Sequence, residues 1–200
     1  MKKYIFLFIM MLFSLSAFSQ NKSGILFGGG LGFEQALNMN QDHDLYKKGC
    51  QFKDRYDFDV YMGYRFRIDS RKSIFFDIDP LLRVQKLKSV DYFSPESQIE
   101  SGFMTSEAND INLQISLSST INYKIKDNFY IGLGLEPTWN VITEGKKFDI
   151  PLLGRIGYDF GKFDIAVTYR QGFFNIFDQS RFTKGRSSDI NISVFIPLVY

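Results

Sequence analysis

Apolar and polar residues alternate one for one along much of this chain. The clearest stretch is 111–125, where the apolar positions are Ile111, Leu113, Ile115, Leu117, Ile121, Tyr123 and Ile125. Successive side chains of an extended strand point to opposite faces, so this period of two predicts a β-strand with one apolar and one polar face. The stretch is longer than the roughly 9–11 residues that a tilted strand needs to cross a bilayer.

The same alternation predicts eight strands, and their connections alternate in length. The strands are 23–35, 56–68, 73–87, 111–125, 129–141, 148–160, 163–174 and 189–200. The short connections are 69–72, 126–128 and 161–162, and the long ones are 36–55, 89–109, 142–147 and 175–187. Tight turns at one end, long loops at the other and an even strand number are typical of transmembrane barrels. We therefore predict an all-β, eight-stranded, antiparallel up-and-down transmembrane β-barrel.

Two features predict which face of the barrel points outward. Aromatic residues gather beside the tight turns, namely Tyr64, Phe66, Tyr123, Phe129, Tyr158, Phe160, Phe163 and Tyr200. Such a girdle is typical of a membrane–water interface. The apolar face of strands two to eight also carries almost no charge, with Lys86 as the exception. Both features favour an apolar face in contact with lipid over the buried apolar face of a soluble, lipocalin-like barrel.

The polar face then lines the lumen, which in an eight-stranded barrel is just wide enough for side chains to fill. We expect a network of paired charges there. Its acids are Glu34, Asp57, Asp59, Asp77, Asp79, Glu136, Asp159 and Asp164, and its bases are Arg65, Arg67, Arg83, Lys124, Arg155 and Arg170. The apolar residues on this face, which we expect to help plug the lumen, are Phe75, Leu81, Leu153, Phe174 and Phe195.

The first 19 residues have the pattern of a secretory signal peptide. A lysine pair precedes an apolar run, and Ala17 and Ser19 fit the small-x-small cleavage pattern. We expect cleavage after Ser19, which leaves 20–200 as one barrel domain. The chain has 24 Lys and Arg and 22 Asp and Glu, but two lysines and no acids lie in 1–19. The exported part is therefore neutral, and its charge gives no support for nucleic-acid binding. The lone Cys50 cannot form an internal disulfide.

The glycine-rich first strand, the eight amphipathic strands and the final strand ending in Tyr200 resemble small outer-membrane β-barrels of Gram-negative bacteria. The chain is similar to the PorT-like group and to the membrane domain of OmpA-type proteins. The resemblance covers 20–200, but its motifs are architectural and say little about activity. It implies an outer-membrane location in contact with lipid. It also implies that the barrel-assembly machinery recognises the terminal segment through Ile196, Leu198 and Tyr200.

The sequence favours a structural or partner-binding role over catalysis. We expect no catalytic residue, cofactor or metal site, because the single histidine, His43, falls in the first long loop as a solvated residue. The candidate partner-contacting aromatics of the long loops are Tyr46, Tyr92, Phe93 and Phe103. The PorT-like resemblance implies an accessory role in secretion or envelope assembly. Two alternatives stay open, a lipid-modifying outer-membrane enzyme and a narrow passive pore.

Overall fold

The computed structural model describes residues 21–36, 38–39, 51–71, 73–92, 107–126, 128–141, 148–174, 182–184 and 188–199. The strands in these ranges are β1 (Asn21–Gly32), β2 (Glu34–Ala36), β3 (Asn38–Met39), β4 (Gln51–Arg71), β5 (Ile74–Tyr92), β6 (Glu107–Lys124), β7 (Phe129–Leu135), β8 (Thr138–Asn140), β9 (Phe148–Asp149), β10 (Leu152–Asp159), β11 (Asp164–Gln171), β12 (Phe182–Lys184) and β13 (Ser188–Val199). The described residues contain no helix that is long and apolar enough to cross a membrane.

Eight of these strands close into an antiparallel barrel, which confirms the predicted fold. The order of neighbours is β1–β4–β5–β6–β7–β10–β11–β13, and β13 pairs back onto β1. Strand β2 pairs with β4 beyond the end of β1. Strands β8 and β9 pair with each other and prolong β7 and β10 past Pro137 and Pro151. Proline has no N–H for the ladder, so the strands break at these two positions. Strands β3 and β12 form a separate pair.

Side chains alternate between the lumen and the outer surface along the barrel strands. In β6, Asn112 and Asn122 are buried, whereas Ile111 and Ile121 are 66% and 58% exposed. The same inversion of the soluble-protein pattern holds in the other barrel strands, where charged and amide side chains are buried and large apolar ones are exposed. A continuous apolar outer surface of this kind is typical of a surface in contact with lipid.

Aromatic side chains mark both edges of the apolar surface. On the side of the tight turns, the ring pairs are Tyr64–Phe66, Tyr158–Phe160 and Phe160–Phe163, with centroids 4.7–4.9 Å apart. Towards the loops, the pairs are Trp139–Phe148 and Phe33–Tyr169, at 6.4 and 6.3 Å. The stretch 148–158 between the two edges spans ~33 Å along the strand, or ~25 Å in height at a tilt of ~40°. This height matches the apolar band of an outer-membrane barrel.

Three strands extend further towards the loops than the sequence predicted. The pairing of β4 with β5 continues to Gln51 and Tyr92, and β6 already begins at Glu107. The prediction that Tyr92 lies in a loop was therefore wrong, because it is the last residue of β5. The alternation fades in 51–55 and 88–92, where seven of the ten residues are polar. Without a period of two, a sequence does not show where such a strand ends.

Candidate functional site

The lumen contains two clusters of buried ionised side chains, one near the tight turns and one nearer the loops. We call them the turn-side cluster, made of Arg65, Arg67, Asp77, Asp79, Arg155 and Asp164, and the loop-side cluster, made of Asp59, Arg83, Glu136, Arg170 and Asp189. Each of these residues is at most 5% exposed. Strand alternation places them inward, and the antiparallel ladder brings residues distant in sequence to the same height.

The turn-side cluster is built on two bidentate ion pairs between β4 and β5. The Arg65 guanidinium donates to both oxygens of Asp79, at 2.9 and 2.8 Å. The Arg67 guanidinium donates to both oxygens of Asp77, at 2.8 and 3.1 Å. Arg67 and Asp77 are directly opposite each other in the ladder. Bidentate pairs of this kind fix the orientation of both partners and are among the strongest hydrogen bonds in proteins.

Two residues from the far wall complete the turn-side cluster. Arg155 of β10 donates to Asp77 and Asp79, both at 3.3 Å. Arg67 also donates to Asp164 of β11. The cluster thus contains three guanidinium groups and three carboxylates, and it connects β4 and β5 with β10 and β11 across the lumen. Pairing is what makes buried charges tolerable, because each ion loses its hydration inside the barrel.

Aromatic rings pack against the turn-side cluster. Phe75 and Tyr130 meet edge to face, with centroids 5.1 Å apart. The Arg67 guanidinium carbon lies 4.3 Å from the Phe75 centroid, and the Lys124 ammonium lies 5.5 Å from the same ring. Phe195 is also within cation–π range of Arg67, at 5.2 Å. Rings and ion pairs together fill this end of the lumen.

The loop-side cluster has a different composition. Arg83 forms ion pairs with Asp59 and with Glu136, the latter at 3.4 Å. Arg170 lies 3.1 Å from Glu136 and donates to Asp189 at 3.1 Å. Two guanidinium groups therefore face three carboxylates, so this cluster has one negative charge in excess when all five groups are ionised.

Uncharged amides fill the lumen beyond the loop-side cluster. Asn112 and Gln114 of β6 both donate to the Asn140 side-chain oxygen at 2.9 Å, and Gln114 also donates to Gln85 at 3.0 Å. Between the two charged clusters remains a cavity of about 10 Å³, lined by residues that include Tyr61, Glu136 and Arg155. That volume is about enough for one water molecule.

Of the fourteen charges predicted to face the lumen, ten lie in the two clusters, two lie at the turn side outside them, and two cannot be placed within the described part of the chain. Lys124 packs over Phe75 at the turn side, and Asp159 lies 3.9 Å from Lys22 at the same rim. Glu34 and Asp57 lie on β2 and β4, and their side chains fall outside the described part of the chain.

Sequence reasoning missed one member of the loop-side cluster and misplaced one aromatic residue. Asp189 was not among the predicted lumen residues, although the outward-facing Ile190 and Ile192 place it on the inner face. Phe174, predicted to plug the lumen, is instead 45% exposed, because β11 ends at Gln171 and the chain has left the inner wall.

The remaining predicted residues lie away from the lumen. Ile196 and Leu198 of the predicted assembly signal face outward and are 40% and 58% exposed. Tyr200 lies outside the described residues, as do the signal peptide, His43 and the loop aromatics Tyr46, Phe93 and Phe103. The part of the chain that the structure describes contains no group of three or more His, Cys, Asp or Glu residues that could hold a metal ion.

Comparison with solved structures identifies the fold. The chain superposes on the crystal structure of the outer-membrane protein OprG from Pseudomonas aeruginosa with a TM-score of 0.52 and 13% identity, covering 90% of this chain and 95% of that one. It also aligns with the NanC porin at a TM-score of 0.35 and 11% identity, covering 87% of this chain and 100% of that one. No protein-family model and no curated protein matches the chain. The chain thus has the fold of an outer-membrane β-barrel protein, while the PorT-like and OmpA-like resemblance stays a prediction.

Proposed function

We propose that this chain is a non-enzymatic protein of the Gram-negative outer membrane that binds an envelope or secretion partner at the loop end of its barrel. The observation that carries the proposal is a sheet that continues beyond the lipid-facing band. Among the side chains of β4 that the structure describes, Phe58 is the outward aromatic residue nearest the loops, and the Lys86 ammonium of β5 lies 5.9 Å from its ring. A lysine over an aromatic ring is the kind of pair expected where lipid gives way to water.

Beyond Phe58 and Lys86, β4 and β5 continue to pair as neighbouring strands. Residues 51–57 of β4 add ~23 Å of strand at ~3.3 Å per residue. They pair with the C-terminal end of β5, and this end of β5 pairs with the start of β6. Strand β2 pairs with the other edge of β4. A four-stranded sheet therefore projects from one side of the barrel. A sheet that serves only to cross the bilayer would not need this length, so we assign the projection to recognition.

The packed lumen supports this role over the two alternatives. A passive pore needs a water-filled path, whereas the described lumen residues form two ion-paired layers separated by a cavity for about one water. An enzyme would need a carboxylate or histidine that orients a nucleophile. The carboxylates of the two clusters are instead engaged by arginines. The PorT-like resemblance favours a secretion or assembly partner, and Ile196, Leu198 and Tyr200 remain the proposed contact for the barrel-assembly machinery.

Site-specific photo-crosslinking in native membranes tests the proposal. A photoreactive amino acid replaces Lys88, which lies on β5 between Arg55 and Asn109 in the ladder. The matched control carries it at Ile156, an outward position within the lipid-facing band. We expect a discrete protein adduct from position 88 and lipid adducts alone from position 156. Heat-modifiable migration in detergent gels checks that both variants are folded barrels.

Two results would contradict the proposed role. Identical adducts from both positions would show that the projecting sheet has no specific partner. Stepwise conductance of the purified wild-type barrel in planar bilayers would favour the pore. A water-soluble folded species without heat-modifiable migration would overturn the membrane location itself.

A further inference from the structure

The outer surface of the barrel has a concave region on the turn-side half of β4, β5, β6 and β7. This groove has a volume of about 710 Å³, within the roughly 300–1,000 Å³ of small-molecule sites. Its apolar lining consists of Ile68, Phe76, Ile78, Ile121, Leu133 and Leu135. All six belong to the face that the barrel turns towards lipid.

A break in the alternation of β6 creates the groove. Ser119 occupies an outward position where its neighbours along the strand, Leu117 and Ile121, are large and apolar. In the ladder Ser119 pairs with Ile78 on one side and with Leu135 on the other. A two-atom side chain between two large ones leaves a depression in an otherwise full surface.

The position of the groove indicates its occupant. Its lining reaches from Ser70, next to the β4–β5 turn, to Ile78, which is four residues into β5 and thus ~13 Å along the strand. At a strand tilt of ~40° this is ~10 Å in height, about two fifths of the ~25 Å apolar band, so the groove lies within the turn-side leaflet. Two charged residues lie at the turn end of the groove, Asp69 in its lining and the exposed Lys126 in the adjacent β6–β7 turn. A zwitterionic phospholipid headgroup complements both, because it offers an ammonium to the carboxylate and a phosphate to the lysine.

We propose that this groove binds one phospholipid of the turn-side leaflet, with an acyl chain against Ser119 and the phosphate towards the tight turns. A second copy of the chain is a poorer fit, because twelve residues line the groove and a stable protein interface takes roughly 20–30 per side. Inside a bilayer the hydrophobic effect does not favour a lipid bound in the groove over a lipid elsewhere in the bilayer. Close packing and the headgroup contact therefore provide the selectivity. The inference rests on the membrane location and is independent of the proposed partner.

Native mass spectrometry tests the site on the full barrel, refolded in vesicles of phosphatidylethanolamine and phosphatidylglycerol and extracted into mild detergent. The variant Ser119→Leu fills the groove, and we expect the fraction of barrels that retain one phospholipid to fall by about threefold, the size of a typical intramembrane contact. Val167→Phe is the matched control, since it enlarges another outward residue of the turn-side half, three strands away around the barrel. We expect no change there.

A second variant separates the groove from the serine hydroxyl. Ser119→Ala leaves the depression open, so its lipid retention should equal that of the wild type. Equal retention in all three variants would overturn the proposal, as would a loss in Ser119→Ala as large as that in Ser119→Leu. A wild-type dimer that Ser119→Leu dissociates would assign the groove to a second copy instead. Heat-modifiable migration of each variant excludes misfolding as the cause, and none of these outcomes depends on the crosslinking partner.

Discussion

The two charged clusters of the lumen both pair arginines with carboxylates, but they differ in charge balance. The turn-side cluster matches three arginines with three aspartates, and two of its pairs are bidentate. The loop-side cluster has two arginines for three carboxylates, and one of these, Glu136, is shared between both arginines. Buried charges are tolerated when opposite charges pair with them, as in the balanced, bidentate turn-side cluster. The excess carboxylate of the loop-side cluster must instead be compensated by hydrogen bonds from amides or water, or by a proton.

We infer from this difference that the two clusters have different structural roles along the barrel axis. The turn-side cluster spans the lumen from β4 and β5 to β10 and β11, with Phe75 and Tyr130 packed against it. It therefore acts as the rigid plug that holds the barrel wall together. The loop-side cluster and the amides above it adjoin the segment that projects from the membrane. We expect this half to tolerate changes that the turn-side half does not.

The largest expected effect comes from removing the central acid of the turn-side cluster. Asp77 accepts hydrogen bonds from Arg67, Arg155 and Asn122. Asp77→Asn keeps the shape but leaves buried guanidinium charge uncompensated, so we expect a loss of about 3–5 kcal/mol in the free energy of unfolding. Urea titration in lipid vesicles, followed by heat-modifiable migration, measures it. A loss under about 1 kcal/mol would remove the basis for calling this cluster the plug.

An intermediate effect is expected where a tyrosine of the turn-side half lies over a glycine. Tyr130 is opposite Gly157 in the β7–β10 ladder, and a Cβ at Gly157 would lie 2.2 Å from the tyrosine ring. Gly157→Ala should therefore cost about 1–3 kcal/mol through overpacking, in the same urea titration. Gly154→Ala in the same strand is the control, because a Cβ there meets no atom within 4 Å. Equal stability of both variants would show that the ring moves freely and that this half is not tightly packed.

The smallest effect is expected from neutralising an acid of the loop-side cluster. Asp189→Asn brings this cluster to two acids for two arginines, and Arg170 keeps its contact with Glu136. The new amide keeps one oxygen as the acceptor for Asn191, so the charge-assisted hydrogen bond from Arg170 is lost, and relief of the charge excess offsets this loss. We expect a change within about 1 kcal/mol, measured beside Asp77→Asn under identical conditions. A loss as large as that of Asp77→Asn would erase the proposed difference between the two clusters.

Strand number, strand order and the direction of most side chains could be predicted from the sequence. The alternation in β6 is clear because its two faces have different surroundings. Ile121 faces the lipid side of the barrel, and Asn122 faces the polar lumen. The extension at 51–55 and 88–92 could not be predicted, because the alternation of apolar and polar residues does not continue there. The exposure of Phe174 could not be predicted either, because a period of two does not show where β11 ends.

The pairing of charges could not be predicted in the same way. Asp77 and Arg67 are ten residues apart and share a hairpin, so their contact follows from one tight turn. Asp164 is 97 residues from Arg67 in sequence, and their contact requires that the barrel close with a specific stagger of its strands. The sequence indicates that both residues face inward, but it does not give their relative heights.

The sequence by itself determined that this chain folds into a two-faced, eight-stranded barrel with a polar lumen, because side-chain direction in a strand is a local property of the backbone. Only the tertiary structure decided that the lumen charges divide into a balanced and an unbalanced cluster, that the sheet continues beyond the band, and that Ser119 lines a groove. These features depend on the register between strands, which the closure of the whole barrel sets.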